Sequence, residues 1–262
     1  MRAVEANGIR LHVVESGDAE GPPVLFANSL GTDLRLWDKV MPLLPGGLHY
    51  VRFDNRGHGL SECPAGPYSI ADFSADTEAL IEALDLGPLI FVGLSIGGVI
   101  GQHLAARRPD LVRALAIACS AARMGEPAMW QARIAAVEEN GLASIEAQVL
   151  DRWFGAAFRP TTEAALWGAM LARTPAEGYM ATCAALAAAD LTATTQTLRL
   201  PTLAIAGSED GASPPALVEA TAQLIPGAAF HVIPGAGHLP CVEDPAAFAA
   251  LLGPFLEAHV HD

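Results

Sequence analysis

Short, unbroken apolar runs recur along this chain, separated by longer segments whose apolar residues are spaced as on a helix. VLFA (residues 24–27), LHYVRFD (48–54), LIFVGLS (89–95), VRALAIACS (112–120), PTLAIAGSED (201–210) and AAFHVIPGAGH (228–238) are such runs. A strand without a polar face must be covered on both sides, so these runs imply a mostly parallel central sheet flanked by helices. The intervening helices include LRLWDKVMPLL, IGGVIGQHLAARR closed by Pro109, PALVEATAQLI and AAFAALLGPFLEA. Ser69 with Asp72 forms a capping box that opens another, running to about Leu84. At the N-terminal end, Asn7-Gly8 between β-prone residues predicts a hairpin. From about residue 121 to 198 the alternation stops: helical runs follow one another without a strand, and Trp130, Trp153 and Trp167 lie among them. The expectation is one α/β domain of 262 residues, with a helical cap over the carboxyl edge of the sheet.

Charge narrows the partners. Acidic residues outnumber basic ones 29 to 15, a net charge of −14, which repels nucleic-acid phosphate and anionic membranes. Cys63, Cys119, Cys183 and Cys241 are scattered without a CxxC pair, as expected of reduced thiols. No run reaches the roughly 18 apolar residues of a membrane span, and the opening residues lack a signal-peptide core. A soluble cytoplasmic protein is expected.

One junction carries chemistry as well as shape. Gly93-Leu94-Ser95-Ile96-Gly97 is a G-x-S-x-G motif placed where a strand runs straight into a helix. At such a turn the glycines remove side chains from crowded backbone, and the serine is lifted clear as a nucleophile. Read blandly, Ser95 would only cap the helix. A serine hydroxyl needs a histidine to accept its proton and a carboxylate to orient that histidine. Asp210 and His238 follow Ser95 in the chain order Ser, acid, His, and both end strands. They therefore belong at the same sheet edge as Ser95.

Other residues compete for these roles. Glu209, Glu243 and Asp244 are alternative acids, with Glu209 expected to be a solvated neighbour of Asp210. Of the eight histidines, His231 lies in a strand, His103 in a helix, His12 in the hairpin, His49 at a strand start, and His259 and His261 in the tail. His58, in DNRGHGLS, is the best rival to His238, but a turn-stabilising role beside Arg56 and Asp54 is the better reading. Ile96 and Leu30 are the candidate backbone donors of an oxyanion hole, with Gly31 turning the loop Asn28–Asp33 inward and Ser29 beside it. No GxxxxGK[ST], HExxH or GxGxxG spacing is present. Cofactor-free and metal-free chemistry is expected.

Several segments resemble the 3-oxoadipate enol-lactonases of the α/β-hydrolase superfamily. They are N-S-L-G-T-D to Trp37, F-D-N-R-G-H-G-x-S, G-P-Y-S-I, G-L-S-I-G-G, C-S-A-A-R-M-G-E-P-A-M-W, R-W-F and E-G-Y…A-A-D-L, which together span nearly the whole chain. The resemblance implies hydrolysis of a small anionic lactone in bacterial degradation of aromatic compounds. It carries the catalytic roles onto Ser95, Asp210 and His238, and the oxyanion donors onto Leu30 and Ile96. A substrate carboxylate requires a cation in an otherwise acidic protein; Arg123, Arg133 and Arg152 are the candidates, and Arg123 leads because it follows the strand ending at Ser120. Trp130 and Trp153 are candidate pocket walls. A carboxylesterase, perhydrolase or carbon–carbon bond hydrolase on the same scaffold is the main rival, and a non-catalytic ligand-binding protein is a more distant one.

Overall fold

The computed structural model describes residues 1–260; His261 lies outside the described residues. Eight strands form one sheet: β1 (Arg2–Ala6), β2 (Ile9–Gly17), β3 (Pro23–Ala27), β4 (His49–Phe53), β5 (Leu89–Leu94), β6 (Val112–Ala118), β7 (Thr202–Gly207) and β8 (Ala229–Ile233). Their spatial order is β1-β2-β4-β3-β5-β6-β7-β8. β1 and β2 form the hairpin, antiparallel, with Asn7 and Gly8 both at positive φ in its turn. From β4 to β8 every pairing is parallel. β5 is buried at every residue, as its unbroken apolar sequence requires.

The helices are α1 (Ile70–Ala83), α2 (Ile96–Arg107), α3 (Pro127–Asn140), α4 (Glu146–Trp153), α5 (Thr162–Leu171), α6 (Ala176–Ala188), α7 (Thr192–Thr195), α8 (Pro215–Ala222), α9 (Pro240–Glu243) and α10 (Pro245–His259). The Ser69–Asp72 capping box opens α1 as expected. Between β6 and β7 the regular elements among the described residues are all helical, α3 to α7, and α3 packs along α6. Among the described residues no helix is long and apolar enough to cross a membrane.

Two local expectations change. LRLWDKVMPLL forms two short 3-10 turns, Leu34–Trp37 and Met41–Leu43, instead of one helix. Pro42 has no N–H to give and its ring would collide with the preceding turn of a continuous helix. The Trp37 indole is also held by Asn28, its Nε1 donating to Oδ1 at 2.8 Å. His259, expected in the tail, is the last residue of α10, with its ring against Phe255.

Candidate active site

Ser95 stands between β5 and α2 with φ 58° and ψ −119°, a conformation that a non-glycine residue adopts only when its surroundings impose it. Here the surroundings are backbone. A Cβ at Gly93 would meet the Gly97 backbone, and one at Gly97 the Ala27 carbonyl of β3. The Ser95 N–H donates to the Ala118 carbonyl of β6 at 2.9 Å, and the Ser120 hydroxyl donates to the Ser95 carbonyl at 2.7 Å. The Ser95 side chain makes no cap to α2, which removes the bland reading of this serine.

Asp210 and His238 come together in the loops after β7 and β8. His238 Nδ1 lies 2.9 and 3.0 Å from the two Asp210 carboxylate oxygens, and both residues are buried. Asp210 Oδ1 also accepts the backbone N–H groups of Ala212 (2.7 Å) and Ser213 (2.8 Å). Burial by itself would raise the Asp210 carboxyl, but the His238 charge and these donors hold it below the usual carboxylate range. Ser213, absent from the sequence reading, puts its hydroxyl 2.8 Å from Asp210 Oδ2, 2.7 Å from the Cys119 carbonyl and 3.2 Å from His238 Nδ1. Nothing in a lone Ser-Pro-Pro after the acid marked it.

Cys119, Asp210 and His238 also place three potential metal-ligand atoms within 4.8 Å of one another. Burial pushes the Cys119 thiol far up, and its hydrogen points to the Gly237 carbonyl, so it is a poor ligand and supports the histidine loop instead. His58, the rival histidine, is buried with Nδ1 3.1 Å from the Arg56 carbonyl, and burial lowers its pKa. Arg56 itself forms a two-armed pair with Asp76, at 2.6 Å for each arm. That loop is structural. Glu209 is more than a solvated neighbour: its carboxylate accepts the Ala156 N–H at 2.6 Å.

Ser95 and His238 open onto a cavity of about 40 Å³ that Ser29, Leu30, Met124, Met129, Trp130, Arg133, Arg152, Trp153 and Tyr179 help to line. A larger groove of about 760 Å³, between α5 and the loop holding Arg35, contains none of these residues. The smaller cavity is where the candidate chemistry lies. Leu30 is buried in its wall, and Ile96 is the first residue of α2, where an N–H has no acceptor within the helix. The Asn28 side chain anchors the Leu30 loop by donating to the Phe53 carbonyl at 2.7 Å.

Trp130 and Trp153 are in the wall, but Arg123 is not. Its side chain is 43% exposed and pairs with Glu126 at 2.7 Å. Ser120 is followed by a turn that carries Arg123 outward before α3 begins, so nearness in sequence to β6 misled. Arg133 and Arg152 hold the place instead. The Arg133 guanidinium lies 5.1 Å from the Trp130 ring and shares the cavity wall with Tyr179. Arg152 reaches the Met129 sulfur at 3.6 Å, and burial together with the Arg133 charge lowers its pKa. Among the described residues neither has a carboxylate partner. Tyr179 was legible only as part of the E-G-Y segment.

A family model described as alpha/beta hydrolase fold matches residues 22–245. The chain belongs to the α/β-hydrolase family. It is 35% identical over 245 residues to 3-oxoadipate enol-lactonase 2 of Acinetobacter baylyi, covering 93% of this chain and 91% of that protein. The solved enol-lactonase of Burkholderia xenovorans LB400 superimposes with a TM-score of 0.94 at 35% identity, covering 98% of this chain and all of that one. A thermophilic esterase from Thermogutta terrifontis, solved with malate bound, matches with a TM-score of 0.92 at 28% identity, covering 100% and 99%. This α/β-hydrolase therefore has relatives that open lactones and relatives that cleave esters.

Proposed function

We propose that this hydrolase opens the enol-lactone of 3-oxoadipate through an acyl-enzyme on Ser95. The observation that carries this reading is the pair Arg133 and Arg152, unneutralised and facing the cavity of Ser95 and His238. In a chain of net charge −14, two such cations are costly to hold together unless an anion joins them. The malate bound by the Thermogutta esterase is a dicarboxylate, which supports an anion-selecting pocket on this scaffold.

In the reaction, His238 accepts the Ser95 proton as Oγ attacks the lactone carbonyl, and Asp210 orients and stabilises the resulting imidazolium. The Ile96 and Leu30 N–H groups receive the oxyanion, each donor being worth about 10²–10³ in rate. The ring C–O bond breaks, the leaving oxygen departs as an enol that tautomerises to the ketone, and the acyl group stays on Ser95. Water then attacks the acyl-enzyme with His238 as base, releasing the dicarboxylate. The arginines hold the carboxylate that takes no part in bond making. The cavity is small and walled in part by the flexible Met124 and Met129, which favours a small ligand over a long acyl chain.

The test is turnover of freshly generated enol-lactone beside a panel of neutral p-nitrophenyl esters. The reading expects a higher kcat/KM for the lactone. A preference for neutral esters would overturn it in favour of a general carboxylesterase.

A further inference from the structure

Glu243 and Glu209 are the two acids near the site that the reaction does not use, and both reach across to the end of α4. Glu243, at the end of α9, accepts the Gly237 N–H through Oε1 at 2.7 Å and the Gly155 N–H through Oε2 at 2.8 Å. Gly237 directly precedes His238, and Gly155 lies two residues beyond Trp153. Around this carboxylate the two backbones are in direct contact. The His238 N–H donates to the Trp153 carbonyl at 2.7 Å, and the Gly211 N–H to the Arg152 carbonyl at 3.2 Å. A Cβ at Gly237 would come within 2.6 Å of that Trp153 carbonyl. The peptides carrying the cavity residues Arg152 and Trp153 are thus bonded to those carrying Asp210 and His238.

Resting on the reading of His238 as the base, we propose that Glu243 is a positioning residue whose ionised carboxylate ties the catalytic histidine to the cap. Two N–H donors on one carboxylate require both oxygens as acceptors, so protonation or an amide leaves one donor opposed by another. Either the His238 loop or the Gly155 turn is then released. The groups facing Glu243 are Glu209 and Asp210 from the loop after β7 and Cys241 on α9. Lys39, which reaches the Val242 carbonyl, is paired with Glu163. Burial, then repulsion from Glu209 and Asp210 against the two N–H donors, pushes the Glu243 carboxyl up to about 7.

The experiment compares wild type with Glu243→Gln on p-nitrophenyl acetate, a neutral ester, so that the outcome does not depend on which acid the cap selects. Below about pH 7 wild-type kcat/KM should carry a loss from protonation of Glu243 in addition to that of the base, so that its acid limb is steeper than one proton. Glu243→Gln should lose at least about tenfold in kcat and fall with a slope of one. The slope is read from the active fraction alone, so partial unfolding of the variant does not obscure it. A variant that keeps the steep limb, or a wild type that shows a single ionisation, overturns the proposal. Ester turnover that survives Ser95→Ala would instead overturn the serine reading on which it rests.

Discussion

Ser95, Asp210 and His238 stand on loops shaped by backbone, whereas Arg133, Arg152, Trp130, Trp153 and Tyr179 reach the same cavity from α3, α4 and α6. On the sheet side, parallel strands end together, and glycines at 93 and 97 leave the chain one way to turn. On the cap side, a residue faces the cavity only through the way helices pack on one another, and α3 lies against α6. A side chain three residues further along can point to solvent. On the proposed reading, the chemistry is therefore written locally, and the selection of substrate is written in tertiary packing.

The sharpest way to break this contrast is to remove the proposed nucleophile. Ser95→Ala is expected to lower kcat on the order of 10⁶, with the fold unchanged because the hydroxyl contributes no cap to α2. Asp210→Asn follows, at about 10⁴ in kcat, since an amide cannot orient His238 in the same way. If these residues serve bond breaking and not selection, as proposed, both losses should be equal on lactone and neutral ester. A variant whose loss differed between the two substrates would show that the sheet edge also selects.

The cap side should behave in the opposite manner. Arg152→Ala and Arg133→Ala are each expected to lower kcat/KM for the anionic lactone about 10–150-fold, the loss of one charge-assisted contact. For p-nitrophenyl acetate the loss should be small. Arg133 also stacks on Trp130, so Arg133→Met, which keeps part of that contact, is the better control for packing. Equal losses on both substrates would mean that the arginines hold the cap together instead of the ligand.

How much of this was legible follows the same division. The parallel sheet, the hairpin at Asn7-Gly8 and the Ser69 cap rest on signals within a few residues, and they appear where those signals stand. So does the pairing of Asp210 with His238, because both close strands of one parallel sheet. Ser213 and Tyr179 carried no such local mark: Ser213 touches Asp210 three residues away, but its contacts with His238 and Cys119 span 25 and 94 residues, and the place of Tyr179 depends on helix packing. The 3-10 turns at Leu34 and Met41 show the limit from the other side. Apolar spacing suggested a helix there, but Pro42 and the Asn28–Trp37 bond decided otherwise.

The smallest expected effect tests the residue that sequence position favoured most. Arg123 follows β6 closely, and a residue just beyond a strand's carboxyl end is commonly near the ligand in this architecture. In the structure its guanidinium is turned outward, 43% exposed, and occupied by Glu126 three residues on. An exposed ion pair of this kind contributes about 0–1 kcal/mol. Arg123→Ala should therefore leave kcat/KM within about twofold on both lactone and ester, while the melting temperature shifts by a few degrees at most. The same substitution raises the net negative charge of the chain by one, so a small, salt-sensitive weakening of anionic-substrate capture is compatible with a long-range field. It should vanish at high ionic strength. A KM increase of tenfold or more for the lactone alone, persisting in salt, would instead place Arg123 against the substrate and require the turn between Ser120 and Pro127 to fold inward when ligand binds.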